Sequence, residues 1–205
     1  MGTSTISVVR QASLSVPADI FGRISSALQS RYGLEVIVCE SDYASDSATE
    51  FANLREGVVR LSPSRSPEQQ GFILAHVFGH LVQHRYAPKH RSLIALVESP
   101  PPIAFSPAQE RAYYAFEMEA SAWGEALMRT CMPVSPGLLH RFKAYVMTDF
   151  TSYLSYLKTG IQTHPAEFQR DFTRRVAGRI DTLWDSSDLS LPASLSVEDV
   201  NISIL

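Results

Sequence analysis

The segment that most constrains this chain is PEQQGFILAHVFGHLVQHRY, residues 67–86. Its two ends are punctuated. Ser66, Pro67 and Glu68 read as cap, first helical position and first-turn acid, which the helix dipole favours. Ala87-Pro88 stops the run, and Arg85, Lys89 and Arg91 place cations near its end. The spacing predicts one helix from Pro67 to about Tyr86. On such a helix His76 and His80, four residues apart, share a face and can converge on one point.

The other elements follow from the same signals. A first helix is expected from Pro17, with Ile20, Phe21, Ile24 and Leu28 at helical spacing and Gly33 at its end. Leu34 to Cys39 and Gly57 to Leu61 read as short strands, separated by a polar turn region at 41–49. Residues 92–107, with three consecutive prolines at 100–102, are expected to be a loop or a short helix. Ser106-Pro107 opens a helix to about Thr130. Two more are expected at 136–158 and 165–184, with a late edge strand at 201–204. The sum is a helix-dominated α+β domain with a small sheet. We expect a core unit over 1–133 and a C-terminal helical extension, 134–205, packed on it.

Composition narrows the function classes. The 205 residues fit one domain, and 45% of them are apolar. Charged residues are 19%, below the usual ~25%, which argues for extensive burial or a partner surface. A net charge of −3 excludes a generally basic nucleic-acid binder. Arg170, Arg174, Arg175 and Arg179 are interleaved with Glu167, Asp171 and Asp181 and read as a solvated face. Cys39 and Cys131 form no metal motif and read as reduced thiols. The first 17 residues hold no signal-like apolar core, and no run is long and apolar enough to span a membrane. A cytoplasmic location is the expectation.

A second helix adds a carboxylate. Glu119 stands with Ala112, Ala115, Phe116, Ala122, Trp123 and Ala126, three, four and seven residues away, so it projects from an apolar stripe. A buried carboxylate needs a metal, a cation or a strong donor, and a salt bridge to arginine is the plain alternative. Glu117 lies about 160° around the helix, on a face with Glu110, Tyr113, Tyr114 and Ser121 that reads as wetter. On this reading Glu119 is the better ligand and Glu117 the solvated charge. Two imidazoles and a carboxylate hold zinc with an open fourth position, or iron(II) as a facial triad.

Two segments, in order, carry a resemblance: Ala75-His76-Val77-Phe78-Gly79-His80-Leu81-Val82-Gln83-His84, and Glu117-Met118-Glu119-Ala120-Ser121-Ala122-Trp123-Gly124-Glu125-Ala126-Leu127-Met128. With the preceding strands they resemble the ImmA/IrrE family of metallopeptidase-like proteins over about residues 17–133. The resemblance implies a zincin-like fold, one divalent ion, and His76, His80 and Glu119 as its ligands. It does not extend past Pro133, and no DNA-binding module accompanies it.

The chain departs from that pattern at Val77, where the family has the glutamate of HExxH. That glutamate is the general base of a zinc peptidase, and valine cannot titrate. General-base catalysis contributes roughly 10²–10⁴-fold, so ordinary peptide hydrolysis should be impaired while metal binding survives. Glu117, Tyr113 and Tyr114 are candidate substitute acids or bases, with Glu125 and His84 behind them. His84 is too far along the helix to share an ion with His76 and is expected to make a hydrogen bond that supports the site or closes the helix end. Gly79 is expected where another element approaches closely. His90, His140 and His164 read as surface or satisfied histidines.

The expectation is therefore a metal-binding, metallopeptidase-like protein. It either has altered metal-dependent chemistry or acts as a regulatory pseudoenzyme with a protein or peptide partner. The alternative is a metal-free helical interaction module.

Overall fold

The computed structural model describes residues 19–39, 51–53, 57–86 and 88–161. The expected helix at 165–184, the strand at 201–204, His164 and the arginine face lie outside the described residues. The described part is helix-dominated α+β, as its sequence pattern predicts.

Helix α1 runs Ile20–Tyr32. Its cap is Asp19, whose carboxylate accepts from Gly22 N at 2.9 Å. It ends at Gly33, where φ is 66°, a left-handed conformation that glycine adopts without a Cβ penalty. Strands β1 (Glu35–Val38), β2 (Phe51–Asn53) and β3 (Val58–Leu61) form one sheet in the order β1-β3-β2. β1 is parallel to β3, with Val36 opposite Val59, and β2 is antiparallel to it. Strand β2 was not expected from the sequence. Alternation on β3 sends Val59 and Leu61 into the core and leaves Arg60 exposed.

Helix α2 spans Pro67–Tyr86, as its punctuation predicts. A single 3-10 turn, Pro88–His90, leads into α3, Arg91–Val97, so the proline-rich connection begins with a short helix. Helix α4 covers Pro107–Cys131 and opens on a full capping box: Ser106 Oγ accepts from Gln109 N, and Gln109 Oε1 accepts from Ser106 N. Helix α5 covers Pro136–Thr159, capped by Ser135.

One apolar core joins the helices with strands β1 and β3. It runs from Ile24 and Leu28 of α1 through Leu74 and Phe78 of α2 and Trp123 and Leu127 of α4 to Phe142 and Leu154 of α5. The Tyr32 and Phe78 rings lie 5.1 Å apart, and Phe72 meets Phe142 edge-on at 5.5 Å. Helix α5, the described part of the expected extension, thus packs on the same core. It is also tied to α2 by the two-pronged bridge from Arg141 to Glu68.

The decisive contact is between α2 and α4. A Cβ on Gly79 would lie 1.9 Å from the Ala120 carbonyl oxygen, and one on Gly124 would lie 2.6 Å from that of Ala75. Each helix offers an Ala-x-x-x-Gly pair, Ala75/Gly79 and Ala120/Gly124, and each glycine admits the other helix's backbone. The close approach expected at Gly79 is thus made by α4. It brings the residues beside those small pairs, His76 and His80 on α2 and Glu117 and Ser121 on α4, within side-chain reach.

Candidate metal centre

The α2–α4 crossing joins His76, His80 and Glu117. Glu117 Oε2 lies 3.0 Å from His76 Nε2 and 3.3 Å from His80 Nε2, and the two ring nitrogens are 3.1 Å apart. Ligands about 2.0–2.1 Å from a tetrahedral zinc are separated by about 3.4 Å. The three edges are slightly tighter than that, and all three atoms are donors suited to such an ion. The residues therefore fit a divalent metal with one position left open.

The carboxylate here is not the expected one. Glu117 is buried, 5% exposed, and faces the histidines, whereas Glu119 points elsewhere. Glu119 Oε2 lies 2.6 Å from His90 Nε2 and 3.3 Å from Lys89 Nζ. The sequence argument that a carboxylate at 119 needs a cation holds, but its partners are the 3-10 turn's His90 and Lys89. The supposed wet face of Glu117 is dry around the carboxylate, where Tyr113 and Ser121 are fully buried, and opens to solvent only at Glu110 and Tyr114. Helix α5 covers it, and Tyr113 Oη donates to Phe150 O at 3.1 Å. The stripe around Glu119 is buried at Phe116, Glu119 and Trp123 and exposed at Ala112 and Ala115, where alanine reports helix propensity rather than burial; the partner at 119, not its burial, differs from the expectation.

Two residues that sequence reasoning missed hold the rings. Ser121 Oγ lies 3.0 Å from His76 Nδ1, and Gln83 Oε1 lies 3.0 Å from His80 Nδ1. Gln83 supports the site, and His84 is exposed at the end of α2. The available signal was position: Gln83 stands three residues past His80, and Ser121 four past Glu117, so each shares a helix face with its neighbour. Phe116 packs against the His80 ring at 4.9 Å and the His90 ring at 5.1 Å, placing an apolar wall beside the histidines.

Charge is strongly coupled within the triad. Burial pushes the Glu117 carboxyl up, but the His80 charge and the two imidazoles' hydrogen bonds outweigh it and hold the group well below the usual carboxylate range. Burial works against a charged His80, yet Glu117 and Gln83 together raise its pKa above 6.5. His76 is lowered, chiefly by burial.

The other candidates are engaged or remote. Burial, with the Glu117 charge and hydrogen bond beside it, pushes the Tyr113 phenol well above its ordinary value, and its hydroxyl donates to Phe150 O. Tyr114 lies at the surface against Phe150. Glu125 pairs with Arg129 at 2.8 Å and with Lys143 at 3.9 Å. Val77 is partly buried against the core. His140 is exposed, and His90 is satisfied by Glu119.

Among the described residues no helix is long and apolar enough to cross a membrane. Comparison with protein-family models, with curated proteins and with solved structures gives no match for this chain.

Proposed function

We propose that this protein binds one divalent metal ion, zinc before iron(II), through His76, His80 and Glu117, and works as a zincin-like regulatory pseudoenzyme with a protein or peptide partner. The observation that carries this reading is the triangle of three donor atoms, each within 3.3 Å of the others, at the packed α2–α4 crossing. The resemblance of both ligand-bearing segments to ImmA/IrrE-like proteins supports it, with Glu117 in place of Glu119 as the third ligand. A metal held there would supply Lewis acidity and an open coordination position. Among the described residues around the site no base is evident. Val77 cannot accept a proton, Glu125 and Glu119 are ion-paired, and Tyr113 donates to a backbone carbonyl.

Elemental analysis of protein purified without added metal tests the reading. One zinc or iron per chain is expected in the parent and in Glu119→Ala, and none in Glu117→Ala. No metal in the parent, with no uptake of added zinc, refutes it.

One observation favours a second reading, a metal-free interaction module. The raised His80 and the depressed Glu117 can form an imidazolium–carboxylate pair, so a proton can hold the same three atoms together.

A further inference from the structure

We propose that Gln83 is a positioning residue that presents His80 to the metal through a fixed ring tautomer, with Ser121 doing the same for His76. The proposal rests on the metal-binding reading and names what prepares the site.

Gln83 is 1% exposed, and both ends of its amide are used. Its Nε2 donates to the Phe116 carbonyl at 2.7 Å. A carbonyl oxygen only accepts, so the amino end of the amide must face Phe116 and the oxygen must face His80. An amide oxygen also only accepts. His80 Nδ1, 3.0 Å away, must therefore carry a proton, and in the neutral ring Nε2 holds the lone pair. Ser121 gives the same result for His76. Its hydroxyl donates to Glu117 O at 2.8 Å, which uses its single proton. Toward His76 Nδ1, at 3.0 Å, it accepts. With both rings neutral, three lone-pair atoms then face one another at 3.0 to 3.3 Å. Such an arrangement is repulsive until a cation occupies its centre.

Gln83 has a second effect. Phe116 is the residue before Glu117, so the amide ties the His80 face of α2 to the α4 turn that carries the carboxylate. One side chain thereby fixes ring orientation and helix spacing together. Removing an outer partner of a metal-bound histidine usually costs 10- to 100-fold in affinity.

The test compares zinc affinity, by competition with a chelating dye, in the parent, Gln83→Leu and Gln83→Glu. Long-range ¹⁵N–¹H NMR of the His80 ring is recorded on the same proteins with the imidazoles neutral. Gln83→Leu should bind zinc about 10- to 100-fold more weakly and show mixed His80 tautomers. Gln83→Glu keeps an oxygen that accepts from His80 and, in its protonated form, a hydroxyl that donates to Phe116. It should recover most of the affinity and the single Nδ1–H tautomer. Unchanged affinity and a single tautomer in Gln83→Leu would overturn the proposal, as would a Glu variant no better than Leu. Should Gln83→Leu fail to fold, the parent's tautomer and the Glu variant decide. If the parent binds no zinc, the metal reading fails separately. A single Nδ1–H form of His80 in the parent, kept in the Glu variant, would still support the positioning role, and mixed tautomers would overturn it.

Discussion

Replacing Gly79 by alanine sets two effects of opposite sign against each other. Alanine in a helix interior is favoured over glycine by about 1 kcal/mol. The new Cβ, however, would sit 1.9 Å from Ala120 O, 2.4 Å from its carbonyl carbon and 2.5 Å from its Cα, where ordinary contact begins near 3.4 Å. All three obstacles are backbone, so no side chain can swing away. The helices must part by about 1.5 Å along that direction. Overpacking of this kind typically costs 1–3 kcal/mol and sometimes more, and the backbone clash places this case at the upper end. The net expectation is a loss of about 2 kcal/mol, which for a chain of this size lowers Tm by roughly 4–8 °C. Zinc affinity should fall too, because His80 and Glu117, already 3.3 Å apart, sit on the two helices being separated. Gly137→Ala is the control. Its Cβ would meet only Arg141 Nη1, at 3.9 Å, so the same substitution should stabilise by about 0.4–1 kcal/mol. Thermal melts and denaturant titrations of the two variants beside the parent measure both signs. A Gly79→Ala protein as stable as the parent, with unchanged zinc binding, would refute the claim that backbone contact at this crossing sets the site.

Other outcomes follow from the same geometry. In chelator-treated protein, the stabilisation from the raised His80 is fully present below pH 6.5 and should be lost as pH rises through its higher folded pKa; a flat urea midpoint over that window would contradict it. The depressed Glu117 works in the opposite direction: its contribution is present above pH 4.5 and is lost on acidification, and a Glu117→Gln variant should lose less stability there. Val77→Glu should introduce or raise hydrolysis of a broad peptide library if only the base is missing, and no gain would count against that account. Ser106→Ala removes the capping box of α4 and should cost about 1 kcal/mol in a denaturant titration. Arg141→Ala, which breaks a half-exposed bridge to Glu68, should cost about 1 kcal/mol or less.

Element bounds were legible wherever the chain carries local punctuation. Pro67, Pro107 and Pro136 each stand at a helix start, and Gly33 ends α1. The five-turn regularity of α2 fixed His76 and His80 on one face without reference to anything else. The need for a small residue at Gly79 was also visible. Strand β2 was not, because three residues in a polar connection hold no period and gain their order from pairing with β3.

Which carboxylate joins the two histidines is decided by the tertiary structure alone. Glu117 and Glu119 lie on nearly opposite sides of α4, and both sides are covered, one by α5 and the other by the 3-10 turn after α2. Helical periodicity separates two faces but cannot say which element will cover each. Nor does polarity decide it: Tyr113 and Ser121 look wet in the sequence, yet inside the fold their hydroxyls find backbone carbonyls and leave a dry, hydrogen-bonded seat for Glu117. The sequence determined that two imidazoles would face one way and that each carboxylate, if buried, would need a cation. Which partner each received was set by packing: Glu119 met the 3-10 turn, and Glu117 met the histidines at the α2–α4 crossing, where two glycines 45 residues apart in sequence let the two backbones touch.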